Sequence, residues 1–202
     1  MKNYFTNYFA AGFISLSVLL LSGMKEAHAA FFYIDFRGGA NWSTISDSDG
    51  EYAPGYLVGA AGRFMPMDLI GVSAGVDFQT RSADYSVVDS QIHYVDIPVT
   101  GVLNLGLGPV SLYLEPGLFY AIPLKSTFYD VGIAEVKAEK FLGFVGRIRG
   151  ELKPIDSLGL GVEAYGKIPF QSSTRDRIVA ASVSEDKIYD FGISAVVSFG
   201  FL

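Results

Sequence analysis

The chain has 202 residues, a net charge of −6, a hydrophobic fraction of 50% and a charged fraction of only 18%. Its length suits one domain, and a charged fraction below the ~25% usual in soluble domains points to apolar surroundings. The acidic balance argues against nucleic acid as a partner, since no basic stripe is present to displace counterions. The absence of Cys excludes disulfides, thiolate metal sites and a cysteine nucleophile.

The first predicted element is an export signal. Lys2 precedes an apolar stretch from Phe9 to Leu21, and Ala27-His28-Ala29 forms a small-x-small cleavage site before Ala30. The stretch is short for a membrane helix, which needs about 20 residues. Residues 1–29 are therefore expected to be removed, leaving 30–202 as a single domain outside the cytoplasm.

From Ala30 onward, apolar residues recur with period two in eight segments, each read as a strand. In FFYIDFRGGANW, Phe32, Ile34, Phe36, Ala40 and Trp42 oppose Tyr33, Asp35, Arg37 and Asn41. YLVGAAGRF sets Tyr56, Val58, Ala60 and Phe64 against Gly59, Ala61 and Arg63. IGVSAGVDFQTR sets Ile70, Val72, Ala74, Val76, Phe78 and Thr80 against Gly71, Ser73, Gly75, Asp77, Gln79 and Arg81. HYVDIPVTGVL opposes Val95, Ile97, Val99 and Leu103 to Tyr94, Asp96, Pro98 and Thr100, and VSLYLEPGLFYAI opposes its leucines to Ser111, Tyr113, Glu115 and Gly117. LGFVGRIRGEL places Gly143, Val145, Arg147 and Arg149 on the polar side, and LGLGVEAYGKI does the same with Gly159, Gly161, Glu163, Tyr165 and Lys167. The last, YDFGISAVVSFGF, sets its aromatic and aliphatic residues against Asp190, Gly192, Ser194 and Ser198.

The connections alternate in length. Residues 43–55, 82–90, 123–140 and 169–186 are long, whereas 65–69, 104–108 and 153–157 are short. That parity predicts an all-β, antiparallel up-and-down barrel of eight strands spanning a membrane, with both termini on the short-turn, periplasmic rim.

The faces tell which side meets lipid. The polar faces carry Asp35, Asp77, Asp96, Glu115, Glu163 and Asp190 against Arg37, Arg63, Arg81, Arg147, Arg149 and Lys167. Acids and bases in equal number suit a closed lumen in which each buried charge needs a partner. Glycines on the same face leave room for those side chains. The apolar faces lack charge at their centres, as lipid demands, and Trp42, Tyr56, Phe78, Tyr120, Tyr189 and Phe201 fall near strand ends, where aromatic girdles sit.

Residues Tyr94–Pro98 (YVDIP), Tyr113–Gly117 (YLEPG) and DFGISAVVSFGF at 190–201 resemble the outer membrane protein beta-barrel domain, or PorT-like, family of small eight-stranded barrels. In size and loop pattern the chain is also similar to the OmpX, OmpW and OmpA-transmembrane group. One departure is the terminal Phe201-Leu202, where such barrels end on an aromatic residue. The resemblance implies the outer membrane of a diderm bacterium, with lipid and the barrel assembly machinery as partners, and no single shared activity.

Catalytic chemistry is thinly represented. The mature chain keeps one histidine, His93, read as a rim residue rather than the base of a serine at the lipid–water boundary. Glu115 and Glu163 are read as salt-bridge partners of Arg147, Arg149 and Lys167 rather than catalytic carboxylates. The acidic run Ser46–Glu51 lacks the spacing of a calcium loop. No catalytic residue, cofactor site or metal site is predicted, and the protein is expected not to be an enzyme. The expected function is a salt-bridged, largely closed barrel whose four surface loops engage an extracellular ligand or serve integrity. The alternative is a narrow OmpW-like channel for small hydrophobic molecules.

Overall fold

The computed structural model describes residues 31–45, 52–85, 88–107, 110–124, 127–130, 134–155, 157–171, 174–178 and 184–201. The export signal and the acidic run 46–51 lie outside the described residues. In chain order the strands are β1 (Phe31–Ile45), β2 (Ala53–Met65), β3 (Ile70–Tyr85), β4 (Val88–Leu107), β5 (Val110–Pro123), β6 (Thr127–Asp130), β7 (Ala134–Ala138), β8 (Phe141–Ile155), β9 (Leu158–Pro169), β10 (Thr174–Ile178), β11 (Ser184–Asp186) and β12 (Ile188–Phe201). The eight long strands form a closed antiparallel barrel in the order β1-β12-β9-β8-β5-β4-β3-β2. First and last strands close it, pairing from Phe32 opposite Phe201 to Ile45 opposite Ile188.

Period two in the sequence becomes inside and outside in the barrel. Val76 is 53% exposed while its neighbour Asp77 is fully buried, and Val162 is 61% exposed beside a buried Glu163. A continuous apolar outer wall with every barrel strand paired on both sides is the arrangement that satisfies a backbone in hydrocarbon. Aromatic rings gather on this wall at the rim of the long connections. There Trp42 stacks on Phe191 at 5.7 Å, Tyr56 lies 6.0 Å from Phe78, and Phe78 stacks on His93 at 5.7 Å. Of the six predicted girdle residues, Phe201 alone marks the short-turn rim.

Three connections expected to be loops carry strands. Residues 82–85 and 88–90 continue β3 and β4 into a tall hairpin, paired out to Tyr85 opposite Val88. Segments 123–140 and 169–186 contribute β6, β7, β10 and β11, a second four-stranded sheet in the order β11-β10-β7-β6. Apolar alternation locates a strand only while one face meets lipid. Beyond the membrane boundary backbone pairing continues without that signature.

Two proline gaps interrupt the cylinder. The β3–β4 register lapses between Ala74–Val99 and Asp77–Asp96, where Pro98 falls opposite Gly75. The β4–β5 register lapses between Thr100–Gly117 and Leu103–Leu114, where Pro116 falls opposite Gly101. Proline has no amide hydrogen to give a ladder, so both edges of β4 lose hydrogen bonds within a few residues of each other.

Candidate functional site

The barrel interior collects the chemistry-bearing side chains. All twelve charged residues predicted for it are buried, and Glu151 joins them, giving seven carboxylates against six cations. The equal count expected from sequence is therefore corrected by one acid. Glu151 shares the odd-numbered face with Arg147 and Arg149, so the parity that placed those arginines inside also located it. Thr80, grouped with the lipid set, is also corrected. It is 1% exposed, because the His93 ring lies over it with Nδ1 3.1 Å from its hydroxyl.

The ions form one connected lattice running along the barrel axis. Near the short-turn rim Arg63 meets Asp35 at 3.1 Å and Glu151 at 3.3 Å, and Arg149 meets Asp35 at 2.8 Å and Glu115 at 2.6 Å. In the middle Arg147 reaches Asp77 at 2.8 Å and Glu163 at 3.7 Å, while Arg37 lies 3.4 Å from Asp77 and 3.6 Å from Glu163. Toward the long-connection rim Asp96 takes Arg81 and Lys167, each at 2.7 Å, and Arg81 Nε lies 3.6 Å from Asp190. Gln79 donates to Asp190 and accepts from Lys167, and Asn41 donates to Asp190 at 3.1 Å. Ser198 donates to Glu151 at 2.9 Å.

Glycines make the lattice possible. A Cβ on Gly59 would meet the Asp77 carboxylate, and one on Gly159 would come within 2.6 Å of Glu151 Cδ. A larger residue at either position would press on the carboxylate it faces.

Each end of the lattice runs into an apolar cluster. Toward the long connections lie Ile92, Tyr94, Phe119, Ala121, Ala138, Phe141, Val145 and Ile188. At the short-turn end lie Tyr33, Met65, Val102 and Tyr113. The terminal arginines face these rings. Arg63 sits 4.7 Å from the Tyr33 centroid and 4.3 Å from that of Tyr113, and Arg81 sits 4.6 Å from Tyr94. Cation–π contact thus offsets part of the desolvation of the outermost charges. Sequence reading placed Tyr33, Tyr94 and Tyr113 inside but missed their grouping into caps, which arises only when the closed barrel brings separate strands together.

Other candidates remain dispersed. Glu115 and Glu163 both engage Arg147 and Arg149. Among the described residues, no group of three or more His, Asp or Glu is placed to hold a metal ion.

No protein-family model matches the chain, and no curated protein sequence does. Solved structures do. OprG from Pseudomonas aeruginosa superposes with a TM-score of 0.60 at 13% identity, covering 87% of this chain and 98% of its own. Neisserial surface protein A gives 0.57 at 16%, covering 86% and 100%. Ail, the attachment invasion locus protein of Yersinia pestis, solved with the heparin analogue sucrose octasulfate, gives 0.51 at 14%, covering 85% and 100%. Identity this low carries the fold and nothing finer. Closed order, strand count, apolar wall and these likenesses agree on one architecture, the closed eight-stranded antiparallel transmembrane barrel of small outer-membrane proteins.

Proposed function

We propose that this protein is an integral outer-membrane barrel of a diderm bacterium, with both termini periplasmic, a lumen that does not conduct, and long connections that act at the cell surface. The lumen lattice carries this reading. An eight-stranded interior is just wide enough for side chains to fill, and here paired ions fill it between two apolar caps. A path for ions or solutes would have to break several buried pairs, each costly to open. What remains available for interaction is the long-connection rim, with its tall hairpin and second sheet. Its partners on this reading are outer-membrane lipid, the assembly machinery during insertion, and an extracellular ligand met by the connections.

A non-enzymatic role is part of the proposal. Among the described residues the His93 ring is engaged by the neutral Thr80 hydroxyl and the Phe78 ring, whereas a catalytic base leans on a third group that orients it.

Planar-bilayer recording of the refolded protein tests the closed lumen. The wild type is expected to be silent. Steady conductance would overturn the reading and favour the narrow channel for small hydrophobic molecules.

A further inference from the structure

Seven carboxylates face six cations in the lumen, so its fully buried lattice carries one acid in excess. A lumen closed to bulk solvent has no mobile counterion to offset that charge, and an uncompensated buried ion is costly. The barrel strands hold one further basic residue, Lys153, near the end of β8. It extends the inward series Arg147, Arg149 and Glu151 by one step, and it falls where the β8–β9 register slips between Leu152 and Ile155. An irregularity of that kind re-aims a side chain. Lys153 Nζ lies 5.2 Å from the Tyr33 centroid and 5.8 Å from that of Tyr113, the two rings that also receive Arg63. Its ammonium donates to the Tyr113 hydroxyl, which donates in turn to Glu151 at 3.4 Å. Unlike the six lattice cations, Lys153 is only half-buried.

The charged and titratable groups of this mouth are Tyr33 and Asp35 on β1, Arg63 on β2, Tyr113 on β5, and Arg149 and Glu151 on β8. β9 and β12 face Glu151 with Gly159 and Ser198, neither of which titrates. We propose that Lys153 is a detachable lock on the short-turn mouth: seated against Tyr33 and Tyr113 it closes that end and supplies the seventh cation, and withdrawn into water it leaves the Glu151 carboxylate to take one proton from solvent. The seated ammonium and the proton are alternatives, since each offsets the same excess acid. The inference rests on the closed-lumen reading and deepens it.

Urea unfolding of the refolded mature protein in micelles, followed from about pH 5 to about pH 9, tests the lock. Lys153→Met removes it. The native state then holds one proton more than the unfolded state, whose carboxylates are ionised over this range, so stability falls as pH rises. Relative to wild type, the unfolding constant is expected to grow by up to about tenfold per pH unit until that proton is lost. Lys153→Arg keeps the charge and should follow the wild type. Lys153→Met combined with Glu151→Gln restores equal numbers and should remove the added pH dependence; a dependence that survives in this double variant would overturn the pairing with Glu151. Lys153→Met titrating like wild type would overturn the lock and leave the closed lumen intact. An added dependence that about 1 M salt abolishes would show mobile counterions reaching the acid, and would overturn the closed lumen and the lock with it. Failure of Lys153→Met to refold where the double variant refolds supports the charge assignment, and failure of both overturns it.

Discussion

At Arg149 one guanidinium lies within ion-pair distance of Asp35, Glu115, Glu151 and Glu163. A residue shared in this way makes each partner's loss felt elsewhere. Glu115→Ala removes the 2.6 Å partner and leaves Arg149 and Arg147 short of compensation in an interior closed to bulk solvent. Breaking a buried pair costs about 3–5 kcal/mol, so urea unfolding in micelles should show a loss of that order. Glu115→Gln, which keeps the volume and an acceptor oxygen, should lose less. On the outer wall the logic reverses. Val76→Arg should cost ~2–4 kcal/mol if residue 76 lies near the bilayer midplane, whereas Val76→Leu should be close to neutral in the same assay. Equal tolerance of both would show that this face does not meet lipid.

At the scale of strands and connections, the structure separates two rims by length and by content. The chain contains no cysteine, so single substitutions report topology cleanly. Lys140→Cys, at an exposed position before β8 on the long-connection rim, should react with a membrane-impermeant maleimide on intact cells. Asp68→Cys, in the exposed short turn between β2 and β3, should react only after the outer membrane is permeabilised. The reverse pattern would invert the proposed orientation. Strand number, order parity and face assignment were legible because lipid imposes a strict alternation, visible in pairs such as Val76–Asp77 and Val162–Glu163. The hairpin tip around Tyr85–Val88 and the sheet of β6, β7, β10 and β11 were not, since no lipid-facing side chain marks them. Glu151 was legible and overlooked, for it extends the Arg147–Arg149 parity by one step. The partnering of Arg37 with Asp77, or Arg149 with Asp35, was beyond sequence: those residues lie on strands that are not neighbours, and only closure of the cylinder brings them together.

For the whole molecule, the lattice sets how stability answers to solvent. Exposed ion pairs weaken as salt shortens the Debye length to roughly 3 Å at 1 M, while buried pairs are screened much less. The ions here are buried. The urea midpoint of the refolded barrel should therefore move little between low salt and about 1 M salt. A marked fall would place the charges in contact with bulk solvent. Closure matters as much as charge, since the wall has no free edge at which another strand could pair within the membrane.

The proline gaps beside β4 bear on how this cylinder would yield under mechanical load. A barrel drawn out of a membrane by a probe attached at one rim resists chiefly through the hydrogen-bonded seams on either side of the strand being pulled. Every long strand other than β4 has at least one seam whose register runs without a proline lapse, whereas β4 has Pro98 on its β3 side and Pro116 on its β5 side. The load borne by β4 thus falls on two shortened stretches of each seam rather than on one continuous ladder. Tearing is expected to begin there, and the force record should show the segment ending in β4 released at lower tension than the segment ending in β12, whose pairing with β1 runs unbroken over the full strand.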